Sequence, residues 1–332
     1  MRHLLLLLLP LLLLSCRDDF TLEADFEDIP VAYGFLNAED DRHFVRVERA
    51  FLEAGGNATV NAGISDSIYY GPEDATVVLE NLRTLESTEM ARVNGENFGL
   101  DREDGVFATS PNILYSIEDQ DLGLQPGDNV RLTISRPGEE DAVAETVLLQ
   151  PLDIRSPGDQ IRPANYNRPL IVSWIAGPNA VIYDVKMIFN IREFFPADPS
   201  QNRNVQLEWT INNAYVPNDQ SSAGQVRFEV NTESIYRFIG QALPEDDAIV
   251  RRFDDFDIQV AAGGAEVLDR RRLENANVGV TSSQSLPRYT NLSGGIGMIT
   301  SQSFGFRDGI LFDGEGQDSL RNGQYTRRLN FQ

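Results

Sequence analysis

Residues 29–52, "IPVAYGFLNAEDDRHFVRVERAFL", set the class of fold. Val31, Tyr33 and Phe35 alternate with Ala32, Gly34 and Leu36, and the polar stretch "NAEDD" (37–41) follows. The next run sets Val45 and Val47 against Arg46 and Glu48. Alternation with a period of two is a strand signal, and two such runs around a short polar loop read as a β-hairpin. "ATVVLENL" (75–82), "NVRLTIS" (129–135) and "AVAETVLLQ" (142–150) continue the pattern, and "LGLQPGDNV" (122–130) is a Pro-Gly turn feeding a strand. Strands of this length and spacing predict an immunoglobulin-like β-sandwich over residues 29–150.

"PLDIRSPGDQIRPANYNRP" (151–169) carries four prolines and little apolar pattern, and reads as a linker. Beyond it, "LIVSWIAG" (170–177), "AVIYDVKMIFNI" (180–191), "NVQLEWTI" (204–211), "GQVRFEVN" (224–231) and "FDIQVAA" (256–262) predict a second β-rich domain over 170–332. One short helix interrupts it at "NTESIYRFIGQALP" (231–244). There Ile235, Phe238, Ile239, Ala242 and Leu243 share a face, Asn231 or Thr232 is the N-cap and Pro244 the stop. The expected fold is therefore mainly β, a sandwich followed by a second β-rich unit.

The N-terminus has a different character. Leu4 to Leu14 is an apolar run interrupted by Pro10, preceded by Arg2 and followed by Ser15 and Cys16. As a helix it would cover roughly 16 Å, about half of a ~30 Å hydrocarbon core, so it reads as an export signal over 1–15. Leu13-Leu14-Ser15-Cys16 resembles the lipobox of bacterial lipoproteins, in which the cysteine thiol is acylated and the chain is cut before it. Cys16 is the one cysteine of the sequence, so no intrachain partner competes for its sulfur. "RDDFTLEADFED" (17–28) completes an acidic tether over 16–28. Arg17, Asp18 and Asp19 loosely resemble the acidic tag that sends lipoproteins of the Bacteroidota to the outer leaflet; an anchor facing the periplasm is the alternative.

With 28 Lys+Arg against 51 Asp+Glu the net charge is −23, which repels nucleic acid and anionic lipid headgroups alike. Lys186 is the single lysine.

Three stretches carry a family resemblance: residues 30–52, "NATVNAGISDSIYYGPEDATVVLENL" (57–82) and "YTNLSGGIGMITSQS" (289–303). With Asp66-Ser67-Ile68-Tyr69-Tyr70 and a Tyr-x-Asn-x-x-x-Gly-x-Gly signature at Tyr289, Asn291, Gly295 and Gly297, the chain resembles a set of Bacteroidota outer-membrane lipoproteins of unknown function. The resemblance touches both halves of the chain and leaves 150–230 matched only in β-rich character. It implies a lipid-anchored outer-membrane protein that assists a TonB-dependent transporter, and it carries no catalytic residues. The arginines in place of the usual lysines and the acidic, Gly-rich tail beyond Phe304 depart from the pattern.

The inventory of reactive side chains is small. An acylated Cys16 is no nucleophile, and His43, alone after the export signal, reads as a partly exposed strand residue without a nucleophile motif nearby. A zinc site lacks its usual ligands. "RRFDDFDIQ" (251–259) offers Asp254, Asp255 and Asp257, and "LPEDDA" (243–248) offers Glu245, Asp246 and Asp247, as carboxylate pairs for a glycan hydrolase; solvated loops are the plainer reading. In "FDGEGQDSLRNG" (312–323), Asp313, Glu315 and Asp318 are candidate oxygen ligands for calcium, against a flexible acidic loop. "NLSGGIGMI" (291–299) lacks the context of a phosphate loop, so Gly294, Gly295 and Gly297 read as positions of close backbone packing. Tyr69, Tyr70, Trp174 and Trp209 are candidate stacking residues for a sugar or peptide, against a core role. The expected function is a non-enzymatic, cofactor-free binding or accessory protein, displayed on the surface. A carboxylate-based surface glycan hydrolase and a structural or adhesive lipoprotein are the alternatives.

Overall fold

The computed structural model describes residues 28–50, 58–163, 168–218, 224–276 and 288–332. Cys16, the expected export signal and the expected tether up to residue 27 lie outside the described residues. The protein is mainly β. Its strands in chain order are β1 (Pro30–Leu36), β2 (Arg42–Arg49), β3 (Thr76–Asn81), β4 (Glu86–Glu89), β5 (Ala91–Asn94), β6 (Ile113–Glu118), β7 (Asn129–Ser135), β8 (Ala142–Val147), β9 (Asp153–Ser156) and β10 (Gln160–Ile161). They continue as β11 (Leu170–Ile175), β12 (Ile182–Phe194), β13 (Arg203–Tyr215), β14 (Gln225–Val230), β15 (Val250–Gly263) and β16 (Ile296–Phe312).

β1 and β2 form the expected antiparallel hairpin, with Ala32 opposite Val47 and Gly34 opposite Val45. The small residues of β1 face inward. Pro30, Ala32, Gly34 and Leu36 are buried, whereas Tyr33 and Phe35 are 41% and 45% exposed. A Cβ on Gly34 would lie 3.1 Å from a Val45 methyl, so at this position the inward face has little space for a side chain. β2, β6 and β5 extend the sheet, and a second sheet in the order β4-β3-β7-β8 packs over it. Between them lie Val45, Val47, Tyr115 and Ile117 from one side and Val77, Leu79, Leu132 and Ile134 from the other. Each such aliphatic removed from water contributes roughly 1.5–3 kcal/mol.

The sandwich is completed by a distant part of the chain. β16 enters parallel to β1, pairing Val31 with Ile296 through Leu36 with Ser301. From Gln302 onward the same strand pairs antiparallel with β15. One nine-stranded sheet results, with the path β13-β12-β15-β16-β1-β2-β6-β5 and β10 attached to the end of β16. Just before β16, Ser293 bridges to Val143 of β8, so this segment touches both sheets of the sandwich. Leu292 and Ile299 lie in the sandwich core, although residues 170–332 were expected as a separate unit.

The signature residues build this entry. The Asn291 side chain donates to Ile299 O (2.7 Å) and accepts from Ile299 N (3.0 Å). Thr290 Oγ1 accepts from Leu292 N and Gly297 N, both at 3.1 Å. Gly297 has φ +138, and a Cβ there would lie 1.8 Å from Ala32 O. Only glycine lets β16 approach β1 so closely. The expected close backbone packing at these glycines is what the fold uses.

In the second half, the β13-β12-β15 end of the large sheet faces a three-stranded sheet, β14-β11-β9, across a core containing Trp174, Met187, Phe189, Phe256 and Phe312. The helix Thr232–Ala242 covers one side. Asn231 is its N-cap, accepting from Glu233 N at 2.8 Å, and Ile235, Tyr236 and Ile239 are buried. Two further helices, Ala265–Ala276 and Gly314–Asn322, lack an apolar stripe strong enough to read from sequence. The stretch expected as a linker holds β9 and β10, and Leu152 and Ile154 enter the core. Its prolines flank these short strands without interrupting them. A buried ion pair ties down the C-terminus: Arg251 Nε donates to Glu193 Oε1 (2.8 Å) and its Nη1 to Leu329 O (2.9 Å).

Two predictions follow from this packing. Gly297→Ala should lose more than about 3 kcal/mol or fail to fold, because its Cβ has no space and its φ is strained. Gly309→Ala, at φ +70 with nothing within 4 Å of the added carbon, should lose only about 1–2 kcal/mol. Thermal or urea unfolding of the two variants checks the difference. The second concerns Asp128 in the Pro-Gly turn, which accepts from Arg83 Nε (2.6 Å), Asn81 Nδ2 (2.9 Å) and Gln125 N (3.0 Å). The Arg83 hydrogen bond leads in holding its carboxyl below the ordinary range. Since the folded pKa lies below the unfolded one, the stabilisation is present at neutral pH and is lost as the pH falls through the carboxylate range. Asp128→Asn should cost about 1.5–3 kcal/mol at pH 7, and the gap to wild type should narrow below about pH 4.

Candidate functional site

The outer face of the large sheet carries a groove of about 290 Å³ where β1, β12, β13, β15 and β16 meet the helix Ala265–Ala276. Its shape begins with a break in register. Pairing of β12 with β13 shifts between Tyr183 and Val185 and again between Val185 and Lys186. Such bulges re-aim side chains and end regular pairing. Ala214 sits opposite at φ +73, and its N–H donates to Asp184 Oδ1 at 2.7 Å. A non-glycine residue there costs of order 1–3 kcal/mol and persists only where the surroundings hold it. Tyr183 turns inward and donates to Ala180 O (2.7 Å), with its phenol pushed up to about 12 by burial.

The helix supplies the opposite wall. Val267, Arg270, Arg271 and Glu274 fall three or four positions apart, on one helix face, and all line the groove. Glu266 fixes the first turn, accepting from Thr300 Oγ1 (3.0 Å) and Thr146 Oγ1 (3.2 Å). Arg270 is paired with Glu274 at 2.9 Å. Arg271 has no carboxylate within 4.0 Å among the described residues, and the Asn213 and Gln302 side chains have no hydrogen-bond partner among them. Phe35, Ala261 and Met298 give the apolar floor. The site therefore joins an exposed ring to three planar polar groups without a partner among the described residues and to a carboxylate with one oxygen held in place. It can donate and accept hydrogen bonds; it presents no nucleophile beside a base.

The residues singled out in the sequence lie elsewhere. Tyr69 is buried, and its hydroxyl sits between Arg102 Nη1 (3.1 Å) and Arg46 Nη1 (3.4 Å) over the outer face of β2. Tyr70 is buried and donates to Asp28 (2.7 Å); burial, then this hydrogen bond, raises its pKa. Trp174 is fully buried, edge-on to Tyr183 at 5.1 Å. Trp209 is stacked on Phe238 at 5.3 Å. Trp174 and Trp209 belong to the core of the second half, whereas Tyr69 and Tyr70 both line a separate groove of about 300 Å³ with Arg49, Asp66 and Arg92, so the four form no common platform. His43 is 2% exposed rather than partly exposed, facing inward beside Val45 and Val47 with Nε2 3.1 Å from Asp119 Oδ1.

Apart from Asp247, which is exposed, the acidic candidates are engaged. Asp254 is held by Arg192 through two bonds of 2.6 and 2.7 Å. Asp255 and Asp257 share the Asn190 amide at 2.6 and 3.0 Å on an open strand face outside the groove lining. Glu245 pairs with Arg328 at 3.5 Å, and Asp246 accepts from Ala248 N at 2.9 Å. Asp313, Glu315 and Asp318 belong to a helix, which corrects the flexible-loop expectation. Asp313 is its N-cap, accepting from Gly316 N at 2.9 Å, and pairs with Arg162 at 2.6 Å. Burial pushes the Asp313 carboxyl up, but the Arg162 hydrogen bond and the N-cap bond outweigh it and hold it low. Asp318 accepts from Asn322 (2.7 Å), and Glu315 lies 3.8 Å from Arg162. No group of three or more His, Cys, Asp or Glu placed to hold a metal occurs among the described residues.

A scan against family models and a search of curated proteins find no match. Among solved structures the chain is similar to a 1.5-MDa bacterial ice-binding adhesin, described in connection with retention at the host cell surface. Identity is 10%, the alignment covers 87% of this chain and 66% of that one, just under two thirds, and the TM-score is 0.18. So low a score carries no argument about what this chain does.

Proposed function

We propose that the protein is a lipid-anchored, non-enzymatic binding module on the outer face of an outer membrane, acting as an accessory to a TonB-dependent transporter. The observation that carries the binding role is the groove on the outer sheet face. Its floor is apolar, Phe35 is exposed in it, and it is lined by Arg271, Asn213 and Gln302, whose side chains have no hydrogen-bond partner among the described residues. Concave sites of this kind, apolar with a few convergent polar groups, are the ordinary form of a small-ligand site. Anchoring is supported by Leu13-Leu14-Ser15-Cys16, since two or three acyl chains hold a soluble body stably at a bilayer. The transporter link rests on the family resemblance of the hairpin, the Asp66–Tyr70 segment and the Tyr289–Gly297 signature.

Three readouts on the native protein test this reading together. Cys16→Ser should leave the membrane fraction, protease added to intact cells should remove the wild-type protein, and mild solubilisation should bring down an outer-membrane β-barrel. Incubation with glycan mixtures should release no new reducing ends. Release that is abolished by Asp255→Asn would replace the binding role with hydrolysis, and membrane retention of Cys16→Ser would remove the lipid anchor.

A further inference from the structure

We infer that the groove takes a neutral saccharide, an assignment that rests on the groove being a binding site. Four observations lead there. Phe35 is 45% exposed although it lies in β1 opposite Thr300 of β16, directly after Gly34, which is paired on both sides, so its backbone is held in place while its ring is open to solvent. An exposed aromatic ring offers a flat apolar face, the complement of the C–H face of a pyranose. Around it, Asn213, Gln302 and Arg271 present planar groups with no internal partner among the described residues. Planar amides and guanidinium groups bond pairwise to adjacent hydroxyls, which a sugar presents and an apolar ligand does not.

Asp184 adds an acceptor already oriented: one oxygen is fixed by Ala214 N at 2.7 Å, which leaves the other for a ligand hydroxyl. The strained Ala214 and the bulged register beside it keep that carboxylate at the rim. Charge selects among sugars. The chain carries −23 overall, so a polyanionic glycan is repelled before it arrives, and one arginine with no carboxylate partner among the described residues, beside one aspartate, leaves the groove close to neutral. Tyr33, two residues from Phe35 on the same strand face, does not line the groove and serves as an internal control.

The test uses the full-length chain in detergent with neutral hexose and pentose oligosaccharides of about four to six units, read by titration calorimetry and glycan array. A neutral oligosaccharide should bind, Phe35→Ala and Asn213→Ala should each weaken it roughly tenfold, and Tyr33→Ala should leave it unchanged. Thermal unfolding of each variant at the wild-type temperature separates lost binding from lost fold. Binding that Phe35→Ala leaves intact would overturn the assignment. A groove that ignores all neutral sugars but captures a peptide pool in a Phe35-dependent way would also overturn the sugar, while keeping the binding site. Failure of both sugars and peptides to show any Phe35 dependence would take down the binding reading as well.

Discussion

The structure depends on one strand that changes its main partner halfway along. The 17-residue β16 pairs parallel with β1 up to Ser301 and antiparallel with β15 from Gln302. At the changeover the Ser301 hydroxyl donates to Leu36 O and accepts from Leu149 N, both at 2.9 Å, and Ser301 O accepts from Gly264 N at 3.3 Å. The end of β1, the segment just after β8 and the end of β15 thus converge on one fully buried serine. Buried groups of this kind contribute modestly when bonded and cost more when left unpaired, so the junction tolerates no slippage. A sandwich that lacked β16 would expose the side of β1 and open its core near Leu292 and Ile299.

This arrangement also places the groove. Phe35 comes from the hairpin at the start of the chain, Asp184 and Asn213 from the middle, Arg271 from a late helix, and Met298 and Gln302 from β16 itself. Met298 lies three residues before the changeover residue and Gln302 directly after it, so the same strand that joins the two halves holds their contributions to the groove in register. Recognition needs groups fixed to within a fraction of an ångström, and strands fix them better than loops. Glu266, bonded to Thr146 of β8 and Thr300 of β16, keeps the helical wall at a constant distance from the floor.

Much of this was legible locally. Alternation in 30–49 gives the hairpin, Asn231 and Pro244 bracket a helix, and the glycines of "NLSGGIGMI" announce close backbone contact. Periodicity says that two faces exist but not which faces inward. In β1 the larger side chains, Tyr33 and Phe35, point out because Gly34 must pass under Val45. That inversion hid the site: the exposed ring belonged to a phenylalanine in an ordinary strand, while Tyr69, Tyr70, Trp174 and Trp209 went into packing. The parallel pairing of residues separated by some 265 positions has no local signature, nor does the burial of Arg251 against Glu193. The helix Ala265–Ala276 was missed because it is held by Glu266 and Val267 and carries no apolar stripe.

The central claim is that the N-terminal sandwich needs the C-terminal strand, and complementation tests it directly. Residues 28–150 would be prepared alone and then mixed with a peptide covering residues 288–303, with thermal unfolding followed by near-ultraviolet circular dichroism. The isolated piece should melt without a cooperative transition, and the peptide should restore one, saturably. A sharp transition in residues 28–150 alone, unmoved by the peptide, would show that β16 is an accessory to a fold already complete.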